Sequence, residues 1–298
     1  MPSPRAGESR DDFLDRCIPE VVAEGRDPDQ AVAMCIAYYE GEKDKAFNVD
    51  KMGEVEYWKA FDRRRQSFQS KYERKIRKAF NDQLSIFRNA GTIADLRKDV
   101  SEQPIKDLFL ELYTDVGDVF ARRTWAGLKN MPYTETKQEP AWIERMRKYA
   151  LIDASGRILE ITKTTQNRIN AIIVAGLEAG LSIDEIQTQI VGTAGLSPLN
   201  GTLTQRARRI ARTEIISASN AGSLEGARST GLNFKKQWLA TPGPRTRDDH
   251  IIADGQIVGK DEMFLVGGEE LEYPGDPAGS PGNVINCRCT QIYITEDS

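Results

Sequence analysis

The chain is poor in the residues that carry most side-chain chemistry. Among 298 residues it has one histidine, His250, and four cysteines, Cys17, Cys35, Cys287 and Cys289. Four cysteines are too few for a disulfide-built scaffold. A single histidine excludes nucleases of the His-Asn-His type. The lack of a G-x-S-x-G elbow excludes a Ser-His-Asp hydrolase built on one. No apolar run approaches the roughly 18 residues that span a bilayer, so no membrane segment is expected. The opening "MPSPRAGESRDDF" has no apolar h-region, so no secretory signal is expected and the chain is expected in a cytoplasm.

What is present is polar and charged. Apolar residues make up 39 % and charged residues 29 %, with a mean hydropathy of -0.51. The length suits one large domain or two to three smaller ones. The net charge of -4 conceals an asymmetry. From Trp58 to Arg88 there are ten Lys/Arg against three Asp/Glu, and from Asp248 to Ser298 two against eleven. Such a chain faces two different partners, or pairs its own basic element with its acidic end.

Periodicity predicts a mainly α protein with a small C-terminal α+β domain: long helices in the N-terminal half, then short strands and Gly/Pro-rich loops after residue 231. Residues 1–45 read as a short two-helix module. Ser9 is its N-cap, and Asp27-Pro28 opens the second helix. Cys17 and Cys35 are expected to face each other as buried apolar residues, with a redox staple as the alternative. Residues 46–53 read as linker. Residues 54–165 read as a helical domain. Its first stripe is Trp58, Phe61, Phe68, Tyr72, Ile76, Phe80, Leu84 and Phe87, and its second Ile105, Leu108, Phe109, Leu112, Val116, Val119 and Phe120. The first helix would be about 45–50 Å long at about 1.5 Å per residue, more an assembly strut than a pocket wall. Arg63, Arg64, Arg74, Lys75, Arg77 and Lys78 lie mostly off its stripe and are candidates for contact with DNA or an acidic protein.

Residues 166–298 read as the C-terminal α+β domain. Ser182 and Glu185 have capping-box spacing after Gly180. A loop follows at "GTAGLSPLNGT". The run "RARRIARTEIISASNAGSLEGARSTG" is helical and small enough in its side chains to pack closely. The β-prone runs are "FKKQWLA", "QIVG", "MFLV" and "CTQIYIT", with "VGGEE" among the intervening loops. Asp254-Gly255 reads as a hairpin turn between "HIIA" and "QIVG".

Two stretches, "RTRDDHIIADG" and "NVINCRCTQIYI", hold the chemistry-bearing residues. His250, Cys287 and Cys289, with Asp248, Asp249 or Asp254, can supply zinc ligands of mixed type. Against that, Cys-x-Cys lacks the two-residue gap of common zinc knuckles. A bond between the two cysteines of Cys-x-Cys would be strained, though either can pair elsewhere. A packing role that pins the loops stands beside both, and a Cys-His nucleophile pair is a further, weaker reading.

The order of these pieces resembles one family. Arg212-Thr213-Glu214, Asn220, Trp238, Arg245-Thr246-Arg247, His250, Asp254-Gly255, Pro274 and Asn286-Cys287-x-Cys289 stand over about residues 170–293 in the order of the Mu F-like phage head morphogenesis proteins. The N-terminal "ESRDDFLDRC…AVAMCIAYYE" resembles a short module of several phage head proteins. The resemblance implies a minor head protein of a tailed phage, assembled in the host cytoplasm and placed in the virion near the portal vertex. It implies the portal protein as partner, with packaged DNA and the major capsid protein as further contacts, and a part in assembly, genome packaging or delivery. It assigns no reaction and no cofactor. Some members carry C-terminal toxin domains, and none is expected in a chain ending at Ser298. Arg212, Glu214, Trp238, Arg245, Arg247, Asp248, His250, Asp254, Asn286, Cys287 and Cys289 then form a structural motif, in which Arg245, Arg247 or Arg288 pairs with Asp248, Asp249 or Glu214. The competing readings are a metal-dependent hydrolase or nuclease using His250, Asp254, Cys287 and Cys289, and a nonspecific DNA-binding protein.

Overall fold

The computed structural model describes residues 9–23, 27–28, 31–32, 35, 46–130, 140–193 and 203–295. It is mainly helical, with short antiparallel strands at the C-terminal end.

Helix α1 (Arg10–Ala23) starts where the Ser9 hydroxyl accepts the Asp12 N–H at 3.2 Å. Phe13, Cys17 and Val21 recur every four residues on its buried face and form a small core with Ala31 and Cys35. The cysteines meet there as expected, but they are joined in a disulfide rather than packed as free thiols. Ala31 N–H bonds the Asp27 carbonyl, a helical turn at the place where Asp27-Pro28 predicts a start.

The stretch 46–53 is not a free linker. Phe47 lies 4.8 Å from the Phe61 ring and 5.5 Å from Phe120, and its N–H donates to the Arg123 carbonyl. Helix α2 (Val49–Met52) follows directly. An apolar ring inside a polar stretch was enough to draw the segment into the core.

Helix α3 (Glu54–Leu84) buries Tyr57, Phe61, Phe68, Tyr72, Ile76, Phe80 and Leu84. Trp58, expected on this stripe, is only partly buried and turns toward the C-terminal segment. A 3-10 turn (Ser85–Phe87) and the short α4 (Ile93–Leu96) connect to α5 (Gln103–Leu128), whose stripe is buried as its spacing predicts, Val119 only partly. Helix α6 (Ala141–Lys148), a π-helical turn (Tyr149–Asp153) and α7 (Ser155–Glu178) come next. Gly180 takes a φ of +70°, and α8 (Ile183–Thr193) opens with the reciprocal Ser182–Glu185 capping box. Most of the expected loop at 192–202 lies outside the described residues. Helix α9 (Leu203–Arg228) is the centre of the molecule: every residue from Thr213 to Ala227 is buried.

The expected domain boundary between residues 165 and 166 falls inside α7, which runs through it without a break. One core joins Phe61 and Tyr72 of α3, Leu112 and Phe120 of α5, Ala211 and Ala218 of α9, and Phe234 and Tyr293 of the strands. The two halves share their apolar surface because neither stripe alone closes.

Strand β1 (Phe234–Leu239) runs between β2 (Ile257–Gly259) and β5 (Thr290–Thr295), antiparallel to both. A hairpin pairs β3 (Phe264–Val266) with β4 (Glu269–Leu271). Two sequence readings change here. "HIIA" is not a strand: it lies in and after α10 (Asp248–Ile252), and "QIVG" pairs instead with β1, Lys236 opposite Val258. "VGGEE" is not a loop: Gly267 and Gly268, at φ +58° and +81°, make the tight turn that folds β4 onto β3. The short α11 (Pro281–Val284) leads to the Cys-x-Cys segment.

Candidate functional site

The site is organised by α9, which reaches its depth through small residues. A Cβ on Gly222 would lie 2.3 Å from the Gly117 carbonyl oxygen of α5, and one on Gly226 2.2 Å from that of Ala121. Backbones this close leave room only for hydrogen. The polar groups carried inside are paired. Asn220 donates to the Pro274 and Cys289 carbonyls at 2.6 and 3.2 Å and accepts from Thr290 at 2.9 Å. Glu214 accepts from Arg157 at 2.9 Å and from the Tyr113 hydroxyl at 3.0 Å. Glu225 accepts from Arg145 and Arg228 at 2.5 and 3.0 Å.

Asn220 and its neighbours fix β5 and the Cys-x-Cys segment ahead of it. Asn286 takes the left-handed region at φ +56°, which asparagine tolerates, and its N–H donates to the Thr213 hydroxyl. That turn brings both thiols to His250. The Nδ1 atom of His250 lies 3.3 Å from the Cys289 sulfur and 3.7 Å from that of Cys287. All three side chains are buried, and their donor atoms lie within 4.8 Å of one another. Both cysteines are free thiols, so the i, i+2 disulfide does not form. Cys287, hydrogen-bonded to Cys289 and desolvated, is pushed up, while Cys289 is held well below the usual thiol range by the bond from Cys287 and then by His250. Trp238 closes the apolar side, edge-on to both His250 and Phe264.

Long helix α3 clasps this segment from the other side. Arg65, only 3 % exposed, donates to the Ser219 hydroxyl at 2.7 Å and to the Arg288 and Cys289 carbonyls at 3.1 and 3.2 Å. Trp58 Nε1 donates to the same Arg288 carbonyl at 3.1 Å. Burial lowers the Arg65 guanidinium to about 10, still charged at neutral pH. Sequence reasoning missed Arg65. The signal was its place on the apolar stripe, four residues after Phe61 and three before Phe68.

The remaining motif residues separate into two groups. Arg212, Arg245, Arg247, Asn286 and Arg288 line a cavity of about 640 Å³ that has His250, Cys287 and Cys289 on its wall. Asp254 stands apart, its carboxylate accepting the Ala240 N–H at 2.8 Å, and is not in the His-Cys-Cys group. Asp248 is exposed in the first turn of α10. The expected guanidinium–carboxylate pairs within the motif do not form with Glu214. Its side chain points inward to Arg157 of α7, and Arg247 donates instead to the carbonyls of Asn283 and Ile285.

Among the described residues, the basic face of α3 is partly neutralised by carboxylates of α5 and of its own helix. Lys75 pairs with Glu111 of α5 at 2.5 Å, Lys71 with Asp115 at 2.5 Å, and Lys78 with Asp82 of its own helix at 2.7 Å. Arg64 lies over the Phe68 ring, Arg77 is half-buried, and Arg63 and Arg74 are exposed.

Two thiols and an imidazole nitrogen are a donor set suited to zinc or another soft metal. The cavity beside them is rich in donors and poor in carboxylates. No complete set of nucleophile, base and orienting group converges among the described residues.

Known proteins similar to the chain match it over about half its length. It is 30 % identical over 149 residues to the uncharacterized protein YqbB of Bacillus subtilis, 48 % of this chain and 47 % of that protein. It is 32 % identical over 145 residues to the NAD(+)--arginine ADP-ribosyltransferase EFV of Enterococcus faecalis, 48 % of this chain and 28 % of that protein. An uncharacterized protein of Haemophilus influenzae is 27 % identical over 166 residues, 49 % of this chain and 34 % of that protein. The chain therefore spans less than half the length of each of these relatives. No solved structure matches it significantly. The model of the phage Mu protein F like family matches residues 167–292, the segment that holds α9, the strands and the His-Cys-Cys group. Residues 167–292 of this chain belong to the phage Mu protein F like family.

Proposed function

We propose that the chain is a minor head protein of a tailed phage that works at the portal vertex, in contact with the portal protein, and assists head assembly and genome packaging or delivery. The family match carries the reading: Mu F-like proteins belong to phage head morphogenesis. The architecture supports it. An α3 of 31 residues is locked into the same core as the Mu F-like segment, which makes a stiff body with one long charged face. The action is structural rather than enzymatic, placed inside the capsid with DNA and the major capsid protein as neighbours. The transferase activity in the name of the Enterococcus protein belongs to a protein of which the match covers 28 %, and it is not carried over. No helix among the described residues is long and apolar enough to cross a membrane. The test is capture of the portal protein by the tagged chain during phage assembly, together with mass spectrometry of purified virions. Absence from both portal complexes and virions overturns the reading.

A second reading rests on the buried His250, Cys287 and Cys289. We infer that they hold a zinc ion through three protein ligands, with the fourth position open to the cavity. Elemental analysis of protein purified without chelators tests this. About one zinc per chain, lost in Cys287→Ser and His250→Ala, supports it. Metal-free, folded protein rejects it, and with it the metal-dependent hydrolase.

A further inference from the structure

We propose that the cavity between α3, α9 and the Cys-x-Cys segment binds a phosphate-bearing anion through Arg212, Arg245 and Arg288. Five guanidinium groups line it, those of Arg65, Arg212, Arg245, Arg247 and Arg288, against the one carboxylate of Asp62. This excess stands in a chain whose net charge is -4. Several half-buried cations elsewhere face a carboxylate directly: Arg157 with Glu214, Arg228 with Glu272, Lys75 with Glu111. Those around the cavity do not. Arg65 and Arg247 spend their N–H groups on main-chain carbonyls, which hold the side chains in place but leave the charge uncancelled. Arg212, Arg245 and Arg288 come from α9, the loop after β1 and the Cys-x-Cys segment. Among the described residues, no ion pair or hydrogen bond engages their guanidinium groups. Arg212 is pressed below its ordinary range by burial and then by the guanidiniums of Arg288, Arg208 and Arg245, with the single carboxylate of Asp62 too little to offset them.

The chemistry favours phosphate over a carboxylate. A single guanidinium fork satisfies a carboxylate, whereas three unfilled forks suit a group with three acceptor oxygens and a charge near -2. A cavity of about 640 Å³ has room for a nucleotide-sized ester. A small phosphorylated compound or a nucleic-acid 5′-end supplies such a monoester directly, whereas a nucleic-acid backbone, with one charge per diester, would fill the forks through neighbouring phosphates. This proposal does not rest on the head-protein reading, which stands whether or not the cavity is filled.

The test is calorimetric titration of the full chain with inorganic phosphate, and with a short single-stranded DNA carrying or lacking a 5′-phosphate. Saturable binding is expected, weakened about tenfold in Arg245→Ala and in Arg288→Ala, a loss of the size of one charge-assisted contact. Lys163→Ala, on the exposed face of α7 outside the cavity, should bind as the parent does. Oligonucleotide binding that is indifferent to the 5′-phosphate points to a nucleic-acid backbone. Binding of phosphate alone points to a small compound. Both support the site. No binding of either probe, equal binding by both cavity variants, or preference for a polyglutamate peptide over phosphate overturns it. Should a variant fail to fold, phosphate protection of Arg245 from phenylglyoxal in the unaltered chain replaces it, and unprotected Arg245 overturns the proposal.

Discussion

Arg65 of the long helix holds the main-chain carbonyl of Cys289 at 3.2 Å, across 224 positions of sequence. With Arg288 and Ser219 it makes three charge-assisted bonds in a site only 3 % exposed. Arg65→Met should destabilise the fold by about 3 kcal/mol or more, since two carbonyls lose a charged donor in a buried place. Arg65→Lys should recover only part, because an ammonium lacks the planar fork. Denaturant unfolding reads both; a lysine variant as stable as the parent refutes the fork's role.

The contact between α5 and α9 has no spare volume. Gly222→Ala would press a methyl against the Gly117 carbonyl, and a loss of about 3 kcal/mol is expected from overpacking a backbone contact. Gly192→Ala, at a position with open space, should cost nothing measurable. Thermal melts of the two variants decide this, and equal melting temperatures would count against the close approach.

Glu214 and Arg157 form an ion pair across the expected domain boundary, with Glu214 only 2 % exposed. Removing one partner strands the other, so Arg157→Met should cost about 3–5 kcal/mol. The double variant Arg157→Met with Glu214→Leu should recover much of it. A double-mutant cycle measures the coupling, and strictly additive losses would reject it.

How much of this was legible follows from what each residue responds to. The stripes of α3 and α5 were visible because burial on a helix repeats every three to four residues. The grouping of His250 with Cys287 and Cys289 was readable because they are metal-ligating residue types in two stretches of one small domain, although His250 stands in α10. Arg65 stayed hidden among ten basic residues, since its carbonyl partners lie more than 200 positions away and no local pattern names them. Strand β4 escaped because three residues, two of them glutamate, carry little β signal. The pairs of Glu214 were misassigned because sequence order places it near Arg245 and Arg247, while the rotation of α9 turns it toward α7.

Lys236 sets a pH dependence. Its side chain is fully buried, with Nζ donating to the Glu272 carbonyl at 2.7 Å, and burial lowers it to about 8. The folded form therefore releases its proton before the unfolded chain does, near 10.4. Between these values the unfolded chain binds more protons, so this lysine's contribution makes stability rise with pH from about 8 toward 10. Relative to Lys236→Met, the parent should gain on the order of 1–3 kcal/mol over that interval. Urea unfolding of both proteins at several pH values checks it, and parallel curves would rule out a depressed lysine.

Helix α9 is sheathed on every side from Thr213 onward, and most of the sheath comes from α3, α5, α6 and α7. Much of that sheath lies upstream of residue 167, outside the family segment, the rest coming from the loop at Pro274 and from β5. The Mu F-like segment of this chain therefore closes its core only against the helices that precede it. A graft onto a foreign N-terminal half would need a groove shaped for Gly222 and Gly226 and arginines waiting for Glu214 and Glu225.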